Sequence, residues 1–103
     1  MKVITFNDLF LRTLDEVLTD VFSKKSADYI FSTMESVYQV KKEDIPDNTH
    51  LLSKTLEKTI GTGHLIIEDL LVENLYVKNG LDYENKKGYS FQDYIEDLKN
   101  RAT

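Results

Sequence analysis

The chain has 103 residues, no cysteine and a formal net charge of −5. That length excludes a second core, the missing thiols exclude disulfides, thiolate catalysis and cysteine-bound zinc, and the acidic balance lacks the basic stripe of a nucleic-acid binder. One proline and four glycines are too few for a chain of many short strands, so the expected fold is all-α: a compact single-domain bundle of four to five helices over residues 1–103.

The first helix is expected to start near Asn7, a good N-cap, with Asp8 in the first turn where the helix dipole favours an acid. Phe6, Leu9, Phe10, Leu14, Val17, Leu18 and Val21 recur at three- and four-residue steps and form one apolar face. Ser23-Lys24-Lys25-Ser26 is a break, with either serine capping a second helix from about Ala27 to Gln39. Its apolar face is Ala27, Ile30, Phe31, Met34, Val37 and Tyr38. A polar connector follows over residues 40–48, where Pro46 disfavours helical geometry at Ile45. Ile45 is the apolar residue in it, either a plug that pins the connector or an exposed anchor for a partner.

Asn48 or Thr49 caps a third helix carrying Leu51, Leu52, Leu56 and Ile60, and Gly61 is a natural stop. Gly61-Thr62-Gly63 has neither the lysine, the length nor the preceding strand of a phosphate loop, so it reads as a tight turn between helices. The fourth helix, from His64 to about Lys78, is apolar over most of its circumference, with Leu65, Ile66, Ile67, Leu70, Leu71, Val72, Leu75, Tyr76 and Val77. Such a helix is either central in the fold or shared with another chain. Asn79-Gly80 ends it, and residues 81–89 form a polar loop with Tyr83 and Tyr89. Ser90 caps the last helix, whose apolar face is Phe91, Tyr94, Ile95 and Leu98, and Ser90 with Asp93 forms a capping-box-like pair.

The segments YQVKKEDIPDN, IGTG, IIEDLL and YSFQDYIE together resemble a small archaeal family described as a Nitrosopumilus output domain. The likeness rests on Tyr38, Lys42, Asp44, Ile45, Pro46, Leu56, Gly61, Gly63, Ile67, Glu68, Leu75, Tyr76, Ser90, Phe91 and Tyr94, and extends from about Leu9 to Asp97. Leu51 or Leu52 stands where members carry a phenylalanine or similar large residue. The resemblance implies an all-helical output module in archaeal signalling, and it brings no catalytic residues with it.

His64 and Glu68 lie one helical turn apart with Asp69 adjacent, a spacing at which histidine and carboxylate can share a metal. His50 is the only other histidine, so no metal and no cofactor is expected, and Glu68 reads as part of a surface stripe. Were it buried, a lysine or a tyrosine hydroxyl would have to partner it. No constellation for acid–base or nucleophilic chemistry stands out, and an enzyme is not expected. The expected function is a non-enzymatic regulatory or signalling output module that works by protein–protein interaction, with a protein partner or a second copy in a homodimer. The surface assigned to it is the surplus apolar face of the fourth helix with its aromatic neighbours: Leu71, Tyr76, Tyr94 and Ile45.

The alternative is a small-molecule sensor with a pocket lined by some of the six tyrosines. A weaker third reading is a helix-turn-helix around Gly61–Gly63, whose second helix opens apolar and acidic where base and phosphate contacts need Arg, Lys, Asn or Gln. No membrane span is expected, because no apolar run approaches the ~18 residues needed. MKVITFNDLF lacks the layout of a signal peptide, and a cytoplasmic location is expected.

Overall fold

In the computed structural model, residues 5–101 are described, so the reading of MKVITFNDLF as lacking a signal-peptide layout falls partly outside them. The fold is an all-α bundle of five helices: α1 (Phe6–Val21), α2 (Lys24–Tyr38), α3 (Thr49–Ile60), α4 (His64–Lys78) and α5 (Phe91–Arg101). Two short 3-10 turns, Lys42–Asp47 and Gly61–Gly63, join α2 to α3 and α3 to α4. Among the described residues there is no strand, and none of the helices is long and apolar enough to cross a membrane.

The local signals explain most helix ends. Thr5, not Asn7, caps α1: its Oγ1 accepts the Asp8 amide at 3.1 Å. Asn7 falls inside the first turn because Phe6 is drawn into the helix against Phe10, with ring centroids 6.2 Å apart. Ser23 caps α2 by accepting the Ser26 amide at 3.2 Å, which starts that helix three residues earlier than its apolar face does. At its end Gln39 turns left-handed (φ 54°) and the Val40 amide reaches the Met34 carbonyl at 3.2 Å.

The connector is helical where Pro46 argued against it. Ile45 and Pro46 are buried in the 3-10 turn, and Lys99 Nζ donates to the Pro46 carbonyl at 2.8 Å and pairs with Asp47 at 3.1 Å. Burial of the Ile45 side chain outweighs the backbone bias of a pre-proline residue. Gly61 ends α3 at φ 72°, ψ −145°, a region open in practice to glycine alone. The Ser90–Asp93 capping box is formed in both directions: Asp93 Oδ2 accepts the Ser90 amide at 2.9 Å and Ser90 Oγ accepts the Asp93 amide at 3.1 Å.

α4 is the central helix, packed by α1, α3 and α5. Ile67, Leu71, Val72, Leu75 and Tyr76 are its buried apolar positions, closing a core with Phe10, Leu14 and Leu18 of α1 and Ile95 and Leu98 of α5. Leu65, Ile66 and Val77 are exposed, and Leu70 is half-buried against the core.

Candidate functional site

Leu71, Tyr76, Tyr94 and Ile45, assigned above to an interaction surface, are all buried in the core. The assignment is corrected by position. Leu71 and Tyr76 lie on the inward side of α4, Tyr94 is on the inward side of α5, and Ile45 is seated as the plug of the connector. None of the four is placed to meet a partner while the bundle is closed.

The tyrosines gather instead into a packed joint. Tyr83 lies against both Tyr76 and Tyr94 with ring centroids 5.7 Å away, and Tyr89 is 5.1 Å from Tyr94. The Tyr94 hydroxyl accepts the Lys86 amide at 2.7 Å, and Tyr76 Oη donates to Asp97 at 2.6 Å. The first bond ties the loop between α4 and α5 to α5, and the second ties α4 to α5. Burial, then the bond to Asp97, pushes the Tyr76 phenol well above its ordinary range. The same bond, with the Arg101 guanidinium nearby, holds the Asp97 carboxyl below its ordinary value.

Glu68 is not on a surface stripe. It is 5% exposed, and its partners are neither lysine nor tyrosine. Its carboxylate meets His64 Nδ1 one turn back on α4, and both of its oxygens accept from Ser53 Oγ of α3 at 3.2 and 3.1 Å. His64, itself only 9% exposed, turns Nε2 toward Glu57 of α3 at 3.4 Å. A cleft of about 300 Å³ lies over this cluster, with Tyr89, Phe91 and Tyr94 among its walls.

The order of the groups decides what they can do. In acyl-transfer triads the imidazole sits between hydroxyl and acid and takes the hydroxyl proton. Here the carboxylate sits between, and Ser53 gives its hydrogen bond to Glu68. The serine is therefore a partner to a buried charge, and the set ties α3 to α4 as a satisfied polar network. Among the described residues no three or more His, Cys, Asp or Glu side chains are grouped to hold a metal ion.

A larger concavity than this cleft lies elsewhere. A groove of about 630 Å³ runs between the last turn of α1, the first half of α2 and the end of α3. Leu18 and Ile30 form its buried floor, Ile60 one wall, and Phe22 and Tyr29 its rim. Phe22 is 45% exposed and Tyr29 is 59% exposed. Asp28 on the same rim is occupied by Lys24 at 3.2 Å, and Lys24 also reaches Asp15 at 3.4 Å. Lys25, beside them, has no carboxylate in ion-pair range among the described residues.

No family model, curated protein or solved structure matches this chain.

Periodicity did not reveal the groove. Tyr29 lies off the inward face of α2, and Phe22 sits in the break between helices. The signal was Tyr29, a large aromatic with no apolar residue three or four positions away on α2.

Proposed function

We propose that the protein is a non-enzymatic interaction module whose docking surface is the groove at the α1–α2 corner, and that the occupant is the apolar face of a helix from a protein. The observation that carries this is the pair of exposed aromatic rims, Phe22 and Tyr29, over a floor of Leu18 and Ile30. Aromatic anchors beside a preformed concavity carry most of the energy in such contacts, and an open groove between helices suits a helix laid along it. The regulatory character comes from the resemblance to an archaeal output-domain family. Two features favour a protein over nucleic acid as partner: the net charge of −5, and an outer face of α4 built from Leu65, Ile66, Asp69 and Glu73.

The test is site-specific photo-crosslinking in the source cells. A benzophenone side chain at Tyr29 is expected to give a discrete protein adduct that disappears with Phe22→Asp. The same group at Asp8, in the opposite end turn of α1, is expected to give none. Equal labelling from both positions would overturn the groove as the docking surface.

A second reading has its own observation. The 300 Å³ cleft over Ser53, His64 and Glu68 combines convergent polar groups with the aromatic walls Tyr89, Phe91 and Tyr94, the make-up of a small-molecule site. A ligand at about 100 times its Kd adds roughly 2.7 kcal/mol to native stability. A broad metabolite panel that leaves the melting temperature unmoved retires this reading.

A further inference from the structure

The chain carries a second unpartnered apolar surface, convex where the groove is concave. On α4, Ile66, Leu70 and Val77 fall on one line by helical spacing. Ile66 and Val77 are each 65% exposed, and Leu70 between them is half-buried, its inner side packed against the core. Glu73 lies on the same line and Asp69 beside it. Both acids are exposed, and neither has a basic partner in ion-pair range among the described residues. The groove presents the opposite pattern: an apolar floor, aromatic rims and Lys25 without a carboxylate.

We propose that the groove of one copy receives the Ile66–Leu70–Val77 face of α4 from a second copy, with Lys25 of the first opposite Glu73 or Asp69 of the second. This rests on the groove being a docking surface and names its occupant. Two facts support this choice. The exposed apolar face is a rod and the groove is a trough, so their shapes suit each other. The charges match as well: the unpaired cation is on the trough and the unpaired acids are on the rod. An α4-to-α4 pairing about a two-fold axis would instead bring the same acids of both copies into one interface, where like charges repel. When the contact forms twice and reciprocally, two copies close as an isologous pair; when each copy uses groove and rod on different neighbours, the association is heterologous and grows into a ring or chain.

The experiment is native mass spectrometry with sedimentation of the purified chain up to about millimolar concentration. The wild type is expected to associate, and Tyr29→Asp (groove) and Ile66→Asp (rod) are each expected to be monomeric with unchanged circular dichroism. Mixing these two variants leaves one intact groove and one intact rod, so a 1:1 heterodimer is the expected product. Lys25→Glu is expected to weaken association about ten-fold or more, and Glu73→Lys in the same chain to restore it. A monomeric wild type overturns the second copy as occupant, while the crosslink at Tyr29 still decides the groove. Association that survives Ile66→Asp, or a mixture that stays monomeric, overturns the groove-to-rod contact.

Discussion

At the scale of single residues, the buried carboxylate of Glu68 is the group with most at stake. It is satisfied by His64 and Ser53 together, and a buried charge deprived of its partner costs far more than an ordinary lost contact. His64→Ala is expected to cost about 3–5 kcal/mol, Ser53→Ala about 1 kcal/mol, and Glu68→Gln, which keeps shape and polarity, less than the histidine change. Urea unfolding of the three variants measures the ranking, and a His64→Ala within error of wild type would show that the pair contributes nothing. Tyr76 and Asp97 both contribute to the pH response. The folded state holds the Tyr76 proton more tightly than the ordinary value of 10.0. Its contribution is therefore complete below that pH and declines as the pH rises beyond it. Asp97 is shifted the other way, below 3.8, so its contribution is present above that pH and is lost as acid protonates it. Tyr76→Phe is expected to flatten the alkaline decline and to cost about 1 kcal/mol near neutrality, as read from denaturant midpoints across the two arms.

At the scale of elements, Gly61 and Gly63 make a controlled pair. Gly61 stands at φ 72° with open space where a Cβ would project, so its constraint is purely conformational. Gly63 has helical angles, φ −60° and ψ −16°, and the nearest atom to an added Cβ is Ile60 Cγ2 at 3.9 Å. Gly61→Ala is expected to destabilise by about 1–3 kcal/mol and Gly63→Ala to stabilise by about 0.5 kcal/mol, both from urea titrations. Equal effects would mean that the backbone at Gly61 relaxes freely. The helices were legible in the sequence because apolar spacing and stop residues act within one turn. His64–Lys78 and the Ser90–Asp93 cap were both readable in this way. The start of α1 was not, since Thr5 and Asn7 are both competent caps and the Phe6–Phe10 contact decides between them. The helical connector was not legible either, because what overrides the proline is burial of Ile45 beneath α1 and a bond from Lys99, more than fifty residues away.

At the scale of the whole molecule, the sequence showed that α4 had more apolar surface than one side of a helix can bury. It did not show which residues would be left over, because that depends on where α1, α3 and α5 land. Leu71 and Tyr76 went inward while Ile66 and Val77 stayed out. Leu71→Asp is therefore expected to abolish cooperative folding, whereas Ile66→Asp is expected to stay within about 0.5 kcal/mol of wild type. Thermal melts at low concentration separate the two, and an unfolded Ile66→Asp would make that face part of the core. The candidate site was hidden for the same reason: His64 and Glu68 were readable as neighbours on one helix, but Ser53 reaches them only once α3 folds back. The tyrosine joint gives the molecule an uneven spectroscopy. There is no tryptophan, and four of the six tyrosines meet where α4, the loop after it and α5 come together. Aromatic circular dichroism and intrinsic emission will thus be dominated by that one seam. An optical signal would follow the clasping of α5 onto α4, and would stay nearly silent about events at the α1–α2 corner, where Tyr29 already stands in water.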